Sequence, residues 1–228
     1  MVLFSWRRIG KTALLKCFLE DILKESGSET LYVDLLGTRD ISTALKKFTQ
    51  AIYESYGETA SGISASFKNL LSKTGVELSF DPITGVPKFS IGIRESGNAE
   101  KSLKAIGAFL SNRKKKIIVI IDEFQQVSSY PEKDREAVFR SWVQAYLGIR
   151  FFFSWNHRNM MLSMFTEKNR PFYRSVQLMQ LDPIELKSNR DFARHYFVSN
   201  KKSFDDKAFE DIIYMGPKAD LLYTIGLQ

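Results

Sequence analysis

Val2-Leu3-Phe4-Ser5-Trp6-Arg7-Arg8-Ile9-Gly10-Lys11-Thr12 stands at the start of the chain, and its reading decides the fold. Val2–Phe4 is a short apolar run that reads as a strand. After the loop, Leu14, Leu15, Phe18, Leu19, Ile22 and Leu23 recur at helical spacing, with Lys16, Glu20, Asp21 and Lys24 between them. Strand, loop and amphipathic helix follow in that order. Gly10-Lys11-Thr12 fits the last three positions of the phosphate-binding pattern G-x-x-x-x-G-K-[S/T]. The first position departs from it, with Ser5 in place of glycine.

The residue types answer to the chemistry. Such a loop turns its backbone N–H groups inward around a phosphate, and the following helix adds free N–H groups and its dipole. Gly10 lets the backbone approach without a Cβ collision. Lys11 supplies a cation to the β- and γ-phosphates, and Thr12 offers a hydroxyl to Mg²⁺. The candidate nucleotide contacts are Arg7, Arg8, Ile9, Gly10, Lys11, Thr12 and Ala13. If Ser5 must take a positive φ, the cost is about 1–2 kcal/mol and the site is weakened.

Downstream, Leu31–Leu36 reads as a second strand, and Asp40 is placed to cap a helix running to about Tyr56. Residues 57–98 are rich in glycine and serine. Val76–Phe80 and Lys88–Ile93 flank Asp81–Pro87, so an irregular insertion carrying a β-hairpin is expected, followed by a helix near 99–112. Ile117-Ile118-Val119-Ile120-Ile121 is β-branched throughout and does not alternate, which marks a strand buried on both faces. Asp122-Glu123 closes it. An aspartate at such a strand tip holds Mg²⁺ and its waters, and a neighbouring glutamate orients an attacking water. A helix near 133–147, strands at Ile149–Phe153 and Val176–Leu181, and helices near 188–199 and 205–215 complete the pattern. Strands alternating with helices mean βαβ units and an α/β fold with a mostly parallel sheet. In open parallel sheets ligands sit beyond the C-terminal strand ends, where both motifs stand.

Composition bounds the alternatives. The 228 residues are 44% hydrophobic and 26% charged, which excludes disorder as the dominant state. No apolar run approaches the roughly 18 residues of a membrane span, and no signal peptide is legible, so a cytoplasmic protein with no membrane partner is expected. The lone Cys17 excludes a disulfide framework and reads as a buried structural thiol. The net charge of +7 is uneven: residues 1–60 balance 8 basic against 8 acidic groups, while 61–116 hold 10 against 4. That surplus suits an anionic partner, although Lys114-Lys115-Lys116 by itself reads as a solvated approach to a strand.

Ser5–Thr12, Leu31–Gly37, Ile117–Gln125 and Arg170–Leu181 resemble the corresponding segments of the archaeal-type P-loop ATPases, in the AAA+/STAND branch of P-loop NTPases. Arg7-Arg8 and Asp122-Glu123-Phe124-Gln125 are the more distinctive matches. The resemblance implies a three-layer α/β/α sandwich with a five-stranded sheet in the order 5-1-4-3-2 and the acidic pair on the third strand. It implies phosphate and Mg²⁺ contacts at Gly10, Lys11 and Thr12, a metal position at Asp122 and a catalytic glutamate at Glu123. It places Ser154 and Asn156 at a polar sensor after the fourth strand, where Ser154-Trp155-Asn156-His157 departs from the family's usual Gly-Ser. It assigns Arg174 a contact with the γ-phosphate, in cis or in a neighbouring subunit, with Arg170 competing for that role.

The expected organisation is a core over 1–200 and the start of a truncated helical lid over 201–228. The function read from all this is Mg²⁺-dependent ATP binding and hydrolysis by a nucleotide-driven switch. A non-hydrolysing nucleotide-binding scaffold and a nucleic-acid-binding module stand as alternatives. Expected partners are ATP or ADP, a DNA or protein client, and further copies of the chain.

Overall fold

The computed structural model describes residues 1–5, 9–25, 27–59, 62–91, 99–155 and 163–215. Strand β1 (Val2–Phe4) leads into helix α1 (Lys11–Glu25), then β2 (Glu29–Asp34) and α2 (Ile41–Tyr56). The insertion contains β3 (Glu58–Thr59), β4 (Gly62–Ile63), α3 (Ala65–Thr74), β5 (Val76–Phe80) and β6 (Pro87–Ile91). There follow α4 (Ala99–Ser111), β7 (Ile117–Asp122), a 3-10 turn (Phe124–Ser129), α5 (Arg135–Ala145), β8 (Arg150–Trp155), β9 (Leu178–Gln180), α6 (Leu186–Ser199) and α7 (Asp206–Met215).

Five strands form one sheet in the order β2-β7-β8-β1-β9, and every pairing in it is parallel. Counted along the core strands and read from the β9 edge, this is the expected order 5-1-4-3-2. The expected hairpin is present as β5–β6, antiparallel from Val76↔Ile91 to Phe80↔Pro87.

Crossovers between parallel strands are right-handed. The chain moves one way across the sheet from β1 to β2 and the other way from β2 to β7 to β8. Helix α1 therefore covers one face and α2, α4 and α5 the other. Burial follows the same parity. Leu3 and Ile120 pack with Leu15 and Leu19 of α1 in a small cluster, against which Tyr32 and Phe152 rest. Val2, Phe4, Leu31, Val33, Val119, Ile121, Phe151 and Phe153 point to the opposite face and join the large core. Phe124 is fully buried there, with its ring 4.5 Å from Phe153 and 5.6 Å from Phe172.

Local chemistry fixes the elements on that larger face. Asp40 caps α2 by accepting from the Thr43 amide at 2.7 Å, and the Thr43 hydroxyl accepts from the Asp40 amide in return, a reciprocal capping box. Gly107 lets α4 and α5 close on each other, because a Cβ there would lie 2.1 Å from the Tyr146 ring.

Two expectations fail. Cys17 is exposed, not buried: α1 covers a narrow strip of sheet with Leu15 and Leu19, and Cys17 lies on its other side, with Leu14 and Phe18 also exposed. The insertion is less irregular than expected, because Ala65–Thr74 is a helix. Its signals are short but present: Ser64 caps it and Phe67, Leu70 and Thr74 are its buried residues.

Helices α6 and α7 pair antiparallel, through Arg190 to Glu210 and Arg194 to Asp206 at 2.6 Å. The expected division after residue 200 falls between these two helices. No helix among the described residues is long and apolar enough to cross a membrane.

Candidate nucleotide-binding site

The β1–α1 loop stands at the C-terminal edge of the parallel sheet, beside the ends of β7 and β8. Trp6, Arg7 and Arg8 lie outside the described residues, as do Asn156 and His157. Gly10 takes φ +83°, a conformation open to glycine at little cost, and its carbonyl accepts the amide of Leu14 at 2.9 Å to start α1. Ile9 and Ala13 flank it, both half-buried. Ser5 is not among the positive-φ residues, so the strain allowed for at this position is not incurred. Its hydroxyl has an occupation of its own: Lys11 donates to it from Nζ at 2.8 Å.

Lys11 is buried. Desolvation pushes its ammonium below the ordinary lysine value, and the charges of Glu123 and Asp122 pull it back up. The loop cation and the acidic strand end therefore sense each other across the site.

Asp122 is the hub. It is almost fully buried at the tip of β7. Oδ2 accepts from the Thr12 hydroxyl at 2.9 Å and from the Tyr32 hydroxyl at 2.6 Å. Oδ1 accepts from the Ser154 hydroxyl and from the amide of Glu123, the latter at 2.9 Å. Four segments, α1, β2, β7 and β8, thus converge on one carboxylate. The parity explains why: Tyr32, Ile120, Asp122, Phe152 and Ser154 all point to the α1 face of the sheet.

Glu123 follows in the left-handed region at φ 55°, one of three non-glycine residues so placed among those described. A glutamate held there is strained, and such strain gathers at functional positions. Its carboxylate accepts the side-chain amide of Gln125, which is itself buried. Burial raises the Glu123 carboxyl above its ordinary value, and Asp122 and Asp34 add to this, while Gln125 and Lys11 oppose it.

Arg174 is exposed and also takes a positive φ, 50°. Its guanidinium lies 5.2 Å from the Tyr173 ring and its amide donates to the Phe165 carbonyl at 3.0 Å. None of the contacts described here joins it to the phosphate loop. Arg170 is engaged elsewhere, 3.2 Å from Glu136 and 3.2 Å from the Ser163 hydroxyl.

Tyr32 and Gln125 are the site residues that sequence reasoning did not assign. Tyr32 carried one signal, a polar-tipped side chain two residues before the end of a strand. Its meaning depends on which strand lies beside it.

The hydroxyl and carboxylate oxygens of Thr12 and Asp122 are the hard donors that suit Mg²⁺, which takes few protein ligands and keeps waters and phosphate oxygens. No group of three or more His, Cys, Asp or Glu among the described residues could hold a metal by itself.

A glycine-turned loop, a buried lysine at the start of the next helix and an acidic residue two strands away define the class: a P-loop nucleotide-binding fold. A family model, an ATPase domain predominantly from Archaea, matches residues 1–224, and the chain belongs to that family. No curated protein matches the sequence.

Solved structures share the fold. The Walker-type ATPase PABY2304 of Pyrococcus abyssi superposes with a TM-score of 0.60 at 16% identity, covering 96% of this chain and 59% of that one. ORC2 of Aeropyrum pernix, solved as ADPNP–ADP complexes, gives a TM-score of 0.55 at 15% identity, over 85% of this chain and 44% of that one. DnaA of Aquifex aeolicus, solved bound to AMPPCP, gives 0.51 at 12%, over all of this chain and 55% of that one. The chain therefore spans only about half the length of these proteins.

Proposed function

We propose that this domain binds ATP with Mg²⁺ at the β1–α1 loop, hydrolyses it, and acts as a nucleotide-driven switch of the AAA+/STAND type. The observation that supports this best is the convergence on Asp122. Thr12 from the phosphate loop and Ser154 from β8 both donate to the carboxylate that ends β7.

In this reading the backbone around Ile9, Gly10 and Ala13, with Arg7 and Arg8, cradles the phosphates. Lys11 leaves the Ser5 hydroxyl to meet the β- and γ-phosphates. Thr12 and Asp122 hold the metal. Bound there, Mg²⁺ would supply positive charge that offsets the charge developing on the transferring phosphate. Glu123 orients the attacking water and takes its proton, a task eased by a carboxyl whose pKa is already raised by burial. Ser154 fixes the Asp122 carboxylate, and together with Asn156 forms the polar sensor. Arg174 supplies a cation to the γ-phosphate, in cis or from a neighbouring copy. A helical lid begins after residue 200, with α7 as its first helix, and follows a core over 1–200. Clients in this reading are DNA or a protein, in a cytoplasmic setting, and the domain acts alone or as a homo-oligomer.

Titration calorimetry with Mg·ATP tests it. Wild type is expected to bind, and Lys11→Ala to lose affinity by about 10-fold or more, the scale of removing one hydrogen bond to a charged group. Absence of binding by wild type would sink the reading.

A second reading is binding without turnover. It is favoured by the Glu123 carboxylate, which is occupied by the Gln125 amide. Turnover measured for wild type and Glu123→Gln separates the two. Equal residual rates support the scaffold, and a loss of about 100-fold or more in the variant supports hydrolysis.

A further inference from the structure

At the other edge of the sheet, where the strands begin, the insertion helix α3 lies against α4 with an open groove of about 490 Å³ between them. Ser66, Asn69 and Lys73 come from α3, Ala108 and Phe109 from α4, and Asn112 from just beyond the end of α4. Arg113, Lys114 and Lys115 close one end, and Glu29 lies beside them at the first residue of β2. Asp34, at the nucleotide-site end of the same strand, is five residues on, roughly 16 Å along it. The groove and the nucleotide site are thus on opposite edges of the domain.

The groove's charge is one-sided. Among the described residues, only Arg113 of its four cations has a carboxylate partner: it pairs with Glu29, the single acidic residue of the lining, and lies over the Tyr56 ring at 3.7 Å. No described carboxylate lies within ion-pair distance of Lys73, Lys114 or Lys115, and all three are exposed. Lys73 is favourable where it stands, in the last turn of α3. Lys114 and Lys115 cap no helix turn and repel Lys73 and Arg113 across the groove, an arrangement that folding alone does not reward. Between the cations lie the amides of Asn69 and Asn112 and the hydroxyl of Ser66, groups that hydrogen-bond phosphate oxygens.

We propose that this groove is a docking surface for the phosphodiester backbone of a nucleic acid. Two features choose a polymer over a small phosphate. The groove is an open channel along the length of α3, and its cations are long, solvated side chains. None of the described lining residues takes a positive φ, so no nest of backbone N–H groups is built around one point. Such side chains neutralise successive phosphates and give affinity without base readout. The proposal is independent of the nucleotide-site reading and uses none of its residues.

Fluorescence anisotropy of a short labelled oligonucleotide, without ATP, tests it on the full chain. Wild type is expected to bind at about 50 mM salt and to lose affinity roughly 20- to 40-fold by about 200 mM, as three neutralised phosphates require. The combined Lys73→Gln, Lys114→Gln, Lys115→Gln variant is expected to lower the slope of log K against log salt by about 2–3. Lys11→Ala is expected to bind as wild type does.

No binding at low salt, an unchanged slope in the triple variant, or loss of binding in Lys11→Ala would each overturn the proposal. Calorimetry with inorganic tripolyphosphate on Lys11→Ala separates the remaining source of phosphate. Binding of tripolyphosphate that the three substitutions abolish, with no oligonucleotide binding, would make this a small-anion site and overturn the nucleic-acid assignment.

Discussion

The Tyr32 hydroxyl donates to Oδ2 of Asp122 at 2.6 Å, from one strand to its neighbour. Tyr32 is paired with Ile120 and Asp34 with Asp122, so the bond runs diagonally along one face of the sheet. Burial and the Asp122 carboxylate hold the phenol well above its ordinary pKa, which keeps it a donor at any physiological pH. Tyr32→Phe removes one donor from a buried carboxylate. The expected cost is about 1.5–3 kcal/mol, read as a lower midpoint in urea unfolding. If Asp122 holds the metal, the variant also needs several-fold more Mg²⁺ to reach half-maximal ATP turnover. An unchanged Mg²⁺ requirement alongside the stability loss would make Tyr32 purely structural.

Glu123→Gln has a signed pH signature. The Glu123 carboxyl is raised in the folded state from its ordinary 4.5, chiefly by desolvation. The folded state therefore binds the proton more tightly than the unfolded state. The stability tied to the protonated form is present below the unfolded value and is lost as pH rises through the folded one. Glutamine stays neutral throughout and escapes that loss. Melting scans are expected to show wild type and variant close together below pH 4.5, and the variant more stable at neutral pH. A variant less stable at neutral pH than in acid, relative to wild type, contradicts the burial account.

Ser5→Gly restores the residue the phosphate-loop pattern has at this position. Because Ser5 takes no positive φ, glycine relieves no strain there. It removes instead the hydroxyl that receives Lys11 and adds backbone freedom to the unfolded chain. A loss of about 2 kcal/mol is expected by thermal denaturation. ATP affinity, measured by calorimetry, is expected to hold within a few-fold.

Gly10→Ala separates strain from obstruction. At φ +83° an alanine costs about 1–2 kcal/mol in the protein alone, although no atom of the described residues within 4 Å meets its Cβ. In the proposed reading a phosphate approaches the backbone at this point. ATP binding is expected to fall by more than the stability loss accounts for, by about 10-fold or more. A variant that melts lower yet binds ATP normally would move the phosphate away from Gly10.

The sequence was most informative where one residue type has one physical use. Five β-branched residues without alternation at Ile117–Ile121 permit a strand buried on both faces, and it is found fully buried between β2 and β8. Gly10 before Lys11-Thr12 was read as leaving room for close backbone approach, and in the structure it also takes a positive φ. The strand order of the core was legible through resemblance, and the hairpin through turn residues between alternating runs. Helix α3 was missed because ten residues within a glycine- and serine-rich tract carry too few periods to outweigh their surroundings.

Amino-acid order by itself marked the core strands and the helices between them, α3 excepted, and that Lys11, Thr12, Asp122 and Glu123 stand at the ends of strands or the start of a helix. Local periodicity and backbone preference carry that information, because each acts within a few residues. Tertiary structure alone decided which side chains meet. It brought Tyr32 and Ser154 onto Asp122, gave Lys11 to Ser5, left Cys17 exposed, and gathered Lys73 with Lys114 and Lys115 around one groove. Those relations depend on strand register and on which face of the sheet a helix covers. Both are set by burial and crossover handedness over long separations, as between Val2 and its strand partners Phe153 and Leu178, where sequence spacing carries no distance.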